Sequence, residues 1–272
     1  MRRFIPVALI ALLIALTAQR PVHAWGTTGH KLIVERAIAL LPAELRPYFE
    51  KNRVFFVEHS IDPDTYRSVG FAEEEPRHFV DLDSYGPFPF ATIPHDYNAA
   101  VAARGLDFVM KNGTLPWRLQ EIYGKLADAF RQLQTAPYAR DNVRLFSAVM
   151  AHYISDATQP LHATANYDGQ LTGQSGIHSR FESDLVERYV GRLTLTPAPL
   201  VPVASARDFA FTTLTESYES VKPILEADRA AVAGKDEYDD GYFEALFDKT
   251  QPILEKRLSV AITDVASLVT AA

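Results

Sequence analysis

The sequence predicts a single all-α domain built from several helices. Apolar residues recur at helical spacing over most of the chain, whereas the strict alternation of a half-buried strand is hard to find. Of 272 residues, 47% are hydrophobic and 22% charged, a balance that provides a sizeable core and excludes a disordered or fibrous protein. No internal repeat, low-complexity linker or change in composition separates a second domain within 25–272.

Residues 1–24 have the pattern of a secretory signal peptide. Two arginines precede the apolar run 4–18, and residues 22–24 resemble an A-x-A cleavage site. This run is shorter than the roughly 20 residues that a membrane-spanning helix needs, so cleavage before Trp25 is favoured over an uncleaved anchor. We therefore expect a secreted or periplasmic protein without a stable membrane anchor.

Seven helices are predicted in the remaining chain. Thr27 and Thr28 are candidate caps for the first helix, Gly113 could close the second, and Pro116 could open the third. The predicted helices cover 28–41, 98–112, 116–135, 140–157, 177–191, 204–231 and 240–269.

Two long segments between these helices are expected to be loops. One, at 53–97, is rich in Pro, Tyr and Phe, and the other, at 163–176, is rich in Gly, Ser and Thr. Loops of this length are usually functional.

Composition excludes several classes of site. The chain has no cysteine, which excludes zinc–thiolate sites, thiol nucleophiles and iron–sulfur clusters. Residues 1–24 contain three arginines and no acidic residue, so their removal changes the formal net charge from −7 to −10. Such an acidic protein has no general attraction to nucleic acid or anionic lipid. Histidine and carboxylate side chains remain as the available metal ligands.

The strongest motif is a histidine and an aspartate at the end of the predicted helix 140–157. His152 and Asp156 continue the apolar stripe of Leu145 and Val149, which should face the core. A buried histidine and carboxylate are costly unless they are paired or bind metal. Taken alone, this pair is equally consistent with a hydrogen bond in the core.

A second pair with the same spacing shifts the balance towards metal. His178 and Glu182 are four residues apart, where helical side chains meet, and His162 lies between the two pairs in the sequence. Five nitrogen and oxygen ligands within 31 residues suit zinc, whereas calcium and magnesium prefer oxygen alone. Taken alone, a pair like the second is more often a surface ion pair.

Further ligands would come from earlier in the chain. The segment 53–97 offers Asp62, Asp64 and His78, although Asp-Pro patterns in a loop usually form solvated turns. The pattern Trp25-Gly-Thr-Thr-Gly-His30 adds a histidine and, after cleavage, a free amine that can bind metal.

From Trp25 to about Tyr189, these motifs together resemble the phospholipase C / P1 nuclease superfamily of secreted, all-helical, trinuclear zinc phosphodiesterases. The resemblance implies a single-domain multi-helix fold of this type over 25–272 and three zinc ions. It implies that one zinc is bound by Asp64, His78, His152 and Asp156, a second by His162, His178 and Glu182, and a third by Asp156, His30 and the amine and carbonyl oxygen of Trp25.

The resemblance also implies in-line hydrolysis of a phosphodiester. Asp64 is expected to orient the attacking water and accept its proton, and its D-x-x-R spacing to Arg67 favours it over Asp62. Arg67 is a candidate contact for a phosphate oxygen, with a surface salt bridge as the alternative. Phe79 is a candidate contact for a base or head group, with core packing as the alternative. The two remaining histidines of the mature chain, His59 and His95, are expected outside the site.

The substrate divides the superfamily. Glu182 in place of aspartate, the run 159–163 followed by Asn166, and the absence of cysteine resemble bacterial phospholipase C, which we favour, with a phospholipid substrate and a monomeric state. The tight spacing from Trp25 to His30 and the D-x-x-R pattern resemble the S1/P1 nucleases. A nuclease or nucleotidase acting on single-stranded nucleic acid or nucleotides is the second hypothesis, with the aromatic segment 85–90 available for base stacking. A noncatalytic helical protein stabilised by zinc is the third.

Overall fold

The computed structural model describes residues 25–235 and 237–272, and the predicted signal peptide 1–24 lies outside these ranges. Throughout the described ranges the regular structure is helical, without a β-strand, which confirms the predicted all-α class. Short 3-10 segments lie at Ala72–His78, Pro160–Ala163 and Val190–Arg192, and a π-helical turn lies at Arg180–Asp184. The α-helices in chain order are α1 Gly26–Leu40, α2 Arg46–Lys51, α3 Arg53–His59, α4 Asp62–Ser68, α5 Leu82–Tyr85, α6 Tyr97–Arg104, α7 Leu106–Lys111, α8 Leu115–Arg131, α9 Ala139–Thr158, α10 Ile177–Ser179, α11 Leu185–Tyr189, α12 Ala206–Tyr218, α13 Val221–Val232 and α14 Asp240–Ala271.

Helix α9 lies at the centre of the fold. It packs against α8, α14, α3 and α12, and every residue from Ser147 to Thr158 is buried. A helix that is enclosed on all sides cannot solvate polar side chains, so the histidine and aspartate in its last turns must be satisfied by protein groups or by a ligand.

Helix α14 forms the back of the molecule and contacts α1, α9 and α13. Among the described residues, no helix combines the length and the apolar character required to cross a bilayer.

Two of the predicted helices are each divided in two. The predicted helix 98–112 is interrupted at Gly105, whose φ of +86° cannot continue a right-handed helix. The predicted helix 204–231 ends at Tyr218 and resumes at Val221. Pro223 explains this break, because its ring would clash with the carbonyl of Glu219 in a continuous helix.

The start of α1 also differs from the prediction. The helix begins at Gly26, so Thr27 and Thr28 lie within its first turn and neither caps it. The preceding Trp25 is fixed by its own side chain: the indole Nε1 donates to the carbonyl of Ser155 at 2.8 Å, and its backbone has a left-handed φ of +47°. The buried tryptophan, rather than a hydroxyl cap, sets where this helix begins.

The segment 53–97 was expected to be a loop and instead contains three short α-helices and a 3-10 helix. Pro63 explains part of the difference, because a proline in the first turn lacks only a donor that the helix does not need there. The Asp-Pro pattern thus starts α4 rather than making a turn. The segment 163–176 has no regular helix beyond the last residue of a 3-10 turn, as predicted.

Candidate active site

Helix α9, helix α4 and the 3-10 segment Ala72–His78 bring four candidate metal ligands together. His78 Nδ1 lies 3.1 Å from both Asp156 Oδ2 and His152 Nε2, and the latter two atoms are 3.3 Å apart. Asp64 Oδ1 lies 3.7 Å from His78 Nδ1 and 4.0 Å from His152 Nε2. We refer to His78, His152, Asp156 and Asp64 as the first ligand group.

The position of α4 shows which aspartate of the Asp-Pro-Asp pattern reaches the histidines. Asp64 is 3% exposed and faces the histidines, while Asp62 Oδ2 accepts a hydrogen bond from His59 Nδ1 at 2.8 Å. One helical turn beyond Asp64, Arg67 places its NH2 3.3 Å from Asp64 Oδ1. The structure therefore brings Asp64 and Arg67, and not Asp62, to the cluster.

Helix α1 adds a third set of donors on the other side of Asp156. His30 Nε2 lies 3.3 Å from Asp156 Oδ1, and the rings of His30 and His152 stack with centroids 4.1 Å apart. The backbone N–H of Trp25 donates to Glu182 Oε2 at 3.3 Å. Asp156 thus presents one oxygen to His30 and the other to the first ligand group.

The second ligand group consists of His162, His178 and Glu182. His178 Nε2 lies 3.1 Å from His162 Nε2 and 2.8 Å from Glu182 Oε2, and His162 Nε2 is 3.7 Å from the same oxygen. All three side chains are almost completely buried. Four-residue spacing brings His178 and Glu182 together even though the π-helical turn begins between them.

Backbone carbonyls fix the tautomers of three histidines. The Nδ1 atoms of His152, His162 and His178 lie 2.8, 2.6 and 3.1 Å from the carbonyl oxygens of Ser60, His78 and Tyr167, respectively. A carbonyl can only accept, so each Nδ1 carries the proton and each Nε2 presents a lone pair to the cluster.

This arrangement fits a bound cation. Two Nε2 lone pairs, those of His162 and His178, face each other at 3.1 Å, where they repel each other unless a cation lies between them. Tetrahedral zinc with bonds of about 2.0–2.1 Å places its ligand atoms about 3.3 Å apart. The donor distances in both ligand groups bracket this value. Glu182 Oε1 is also buried without a hydrogen-bond partner among the described residues.

Electrostatics distinguishes the two buried carboxylates. Burial and the neighbouring charges of Asp64 and Glu182 raise the pKa of Asp156 well above its ordinary value. Burial would also raise the pKa of Glu182, but the positive charges of His178 and His162 when their rings are protonated, and the hydrogen bonds that these rings then donate, outweigh it and lower this pKa to about 2. Burial lowers the pKa of His78 to about 3, so that its ring is neutral. Neutral imidazoles and a carboxylate destabilised by other carboxylates form a set that a cation would stabilise.

Several residues support the ligands in ways that the sequence did not predict. Gln159 donates from Nε2 to Glu182 Oε2 at 2.7 Å and is fully buried beside the second group. Its signals in the sequence were its position between Asp156 and His162 and its place in the run 159–163, and neither indicated a contact with Glu182. The carbonyls of Ser60 and Tyr167 carry no sequence signal, because any residue has a carbonyl.

The aromatic candidates lie mostly outside the cluster. Phe79 packs against the turn before α8, where its ring and carbonyl would collide with any side chain placed on Gly113. In the segment 85–90, Tyr85 and Phe90 are buried in the core, while Phe88 is half exposed and stacks with Tyr218. His95 is exposed and pairs with Asp208, as expected for a histidine outside the site.

Of the comparisons with known proteins, the match to a family model agrees with the ligand chemistry. A family model described as zinc dependent phospholipase C matches residues 29–248. The chain is 24% identical to a probable serine protease of Bradyrhizobium tropiciagri, over 60% of this chain and 31% of that protein. Among solved structures, the alpha toxin from Clostridium absonum is similar with a TM-score of 0.49 and 17% identity, over 88% of this chain and 63% of the toxin chain. The chain thus spans less than two thirds of either relative.

Proposed function

The chain belongs to the zinc-dependent phospholipase C family, and from this membership we propose that it is a secreted phosphodiesterase with three zinc ions that releases phosphorylated head groups from phospholipids. The observation that carries this proposal is the sharing of Asp156 between His30 on one side and the first ligand group on the other, with the second group close by. One chain thereby offers ligands for a cluster of ions rather than for one isolated ion.

We assign the ligands as the resemblance to the superfamily implies, and the distances within the two ligand groups and between His30 and Asp156 support this assignment. The first ligand group would hold one zinc and the second group another. Asp156 would bridge to a third zinc held by His30 and by the amine and carbonyl oxygen of Trp25. When bound, zinc lowers the pKa of a coordinated water and offsets negative charge on the phosphate.

Two side chains of the protein would position the reactants and move the proton. Asp64 lies at the edge of the first group, where its carboxylate would orient the attacking water and accept its proton. The water oxygen then forms the new bond to phosphorus as the bond to the glycerol oxygen breaks, and the proton that Asp64 accepted passes to this oxygen as diacylglycerol leaves. Arg67, beside Asp64, would donate hydrogen bonds to a phosphate oxygen and hold the ester in line.

Removal of residues 1–24 would complete the site. The amine of Trp25 becomes free only if residues 1–24 are removed, and its indole is already anchored to Ser155 and Thr158 at the end of α9. Cleavage would then leave the amine beside Glu182, towards which the Trp25 nitrogen already points. We propose that 25–272 is the mature catalytic domain and that it acts in the periplasm or outside the cell.

The processed protein, loaded with zinc, should be assayed on phosphatidylcholine vesicles and on single-stranded DNA and RNA, with His152→Ala as the inactive control. Release of phosphocholine with no nucleotide product is the expected result. Nucleotide products alone would replace the proposal with the nuclease hypothesis. Inactivity on all three substrates with zinc bound would favour a structural role for the metal.

A further inference from the structure

The segment that carries the second group's His178 and Glu182 is anchored by a buried arginine. Arg180 lies between these two residues in the chain and is 6% exposed. Its Nε donates to the hydroxyl of Tyr242 in α14 at 2.8 Å, and its NH2 donates to Asp228 Oδ1 in α13 at 3.2 Å. The guanidinium therefore ties a ligand-bearing segment to both C-terminal helices.

Asp228 closes this network and is itself 1% exposed. Its Oδ1 also accepts a short hydrogen bond from the hydroxyl of Tyr242, and its Oδ2 accepts from Gln174 Nε2 at 2.7 Å. Gln174 in turn lies at the end of the segment 163–176, and its carbonyl accepts from Arg180 NH2 at 3.2 Å. Both oxygens of Asp228 are thus used to join two helices and a loop.

The same arginine supports the start of the ligand-bearing segment. NH1 of Arg180 donates to the carbonyl of Ser175 at 2.9 Å. Gly176 has a φ of +87°, and a Cβ there would lie 2.6 Å from that NH1. Asp168 accepts hydrogen bonds from the backbone N–H groups of Gly176 and His178 at 2.8 and 3.3 Å. The loop end, the helix start and the guanidinium therefore pack as one unit.

A second arginine on the same segment provides a comparison. Arg188 in α11 pairs with Asp240 at the start of α14 at 2.8 Å, but the two side chains are 44% and 94% exposed. An exposed pair contributes little, whereas removing one partner from a buried pair leaves an uncompensated charge that forces its surroundings to rearrange. Of the two arginines, only Arg180 lies between the ligands His178 and Glu182 in the sequence. Its buried network can therefore change their orientation.

We infer that Arg180, Asp228 and Tyr242 are positioning residues that hold His178 and Glu182 in the orientation needed for zinc, and so set the zinc affinity of the second ligand group. The inference rests on the proposed three-zinc site. It also gives α13 and α14 a function beyond closing the core, because they support the second group from behind. Residues that support metal ligands in this way typically change affinity by about 10- to 100-fold.

The test is a zinc titration of the processed protein in competition with a chromophoric chelator. Glu182→Gln identifies which of the zinc-binding steps belongs to the second group. We expect Asp228→Asn to weaken that step by about 10- to 100-fold and Tyr242→Phe to weaken it by about tenfold, with the other steps changed by less than about threefold. Asp240→Asn, the matched variant of the exposed pair, should leave every step unchanged within about twofold.

Folding is checked separately by circular dichroism of the zinc-free variants. If Asp228→Asn does not fold, Tyr242→Phe decides, because it removes a hydroxyl and keeps the packed ring. A folded Tyr242→Phe variant with unchanged affinity would overturn the inference, and so would equal weakening of all steps, which indicates general destabilisation. Failure of the parent protein to bind three zinc ions would instead overturn the proposed function.

Discussion

The two ligand groups lie side by side but are assembled in different ways. The second group comes from 21 consecutive residues, 162–182, whereas the first joins α4, the turn before α5 and α9, with His30 added from α1. Their carboxylates also differ, since the pKa of Asp156 is raised and that of Glu182 is lowered. The first group therefore depends on the complete fold, because its ligands come from separate elements, while the second is assembled within one short segment.

The largest effect is expected at the residue on which the first group depends most. Asp156→Asn removes the charge that faces both His30 and the first group, so we expect hydrolysis to fall by at least about 1,000-fold, equivalent to about 4 kcal/mol. Zinc content, measured by atomic emission, should fall by about two equivalents. Activity within about tenfold of the parent would show that Asp156 does not bridge two ions.

A smaller loss is expected in the locally assembled group. Glu182→Gln keeps the shape of the side chain and its contact with Gln159 but removes the negative charge beside His178. We expect the loss of about one zinc equivalent and a decrease in kcat/KM of about 100-fold. If this variant lost as much zinc as Asp156→Asn, the two groups would not be independent.

Arg67 tests substrate contact without a change in metal. Replacing it with methionine in Arg67→Met should lower kcat/KM for phosphatidylcholine by about 10- to 100-fold, because one charged hydrogen bond to the phosphate is lost. Zinc content should stay at the parent level, and Arg53→Met, at a half-buried arginine that pairs with Glu35 and Glu50, serves as the control. A variant that loses zinc along with activity would assign Arg67 to ligand support instead.

The pH dependence of unfolding tests a buried carboxyl group that lies outside the ligand groups. Burial raises the pKa of Asp264 in α14 from 3.8 to about 7. Between these values the folded state holds a proton that the unfolded state has lost, so the stability contribution of this group falls as the pH rises and is lowest above pH 7. Asp264→Asn should therefore raise the free energy of unfolding at pH 8 by roughly 1 to 3 kcal/mol and have little effect near pH 4. Denaturant unfolding of the zinc-free protein measures both values, and equal effects at the two pH values would contradict the assignment.

The smallest catalytic effect is expected at Phe79. Its ring packs against the turn at Gly113, so Phe79→Leu should change kcat/KM by less than about threefold while lowering the free energy of unfolding by roughly 1 kcal/mol. A loss of activity of tenfold or more, with stability unchanged, would restore Phe79 as a substrate contact.

The second group is assembled from nearby residues and the first from distant ones, and this difference explains which ligands the sequence could predict. His178 and Glu182 are adjacent on a helix by spacing alone, so periodicity was enough to pair them. Asp64 could be preferred to Asp62 only by resemblance, because the geometry that separates them appears only once Pro63 starts α4. The predicted start of α1 was wrong because a tertiary contact sets it. The indole of Trp25 is anchored to the carbonyl of Ser155.

Other features had no sequence signal at all. The carbonyls of Ser60 and Tyr167 fix the histidine tautomers through contacts that depend on the path of the backbone and not on side-chain type. Arg180 and Asp228 are 48 residues apart, and an isolated arginine or aspartate usually lies at the surface. Long-range polar contacts of this kind require the packed helices before they can be recognised.

The central claim is that both ligand groups and His30 hold zinc in one connected cluster. Crystals of the processed, zinc-loaded protein measured on both sides of the zinc absorption edge would test it directly. We predict three anomalous peaks: one within the first group, one within the second, and one between His30 and Asp156. A single peak, or peaks away from these donors at saturating zinc, would contradict the account.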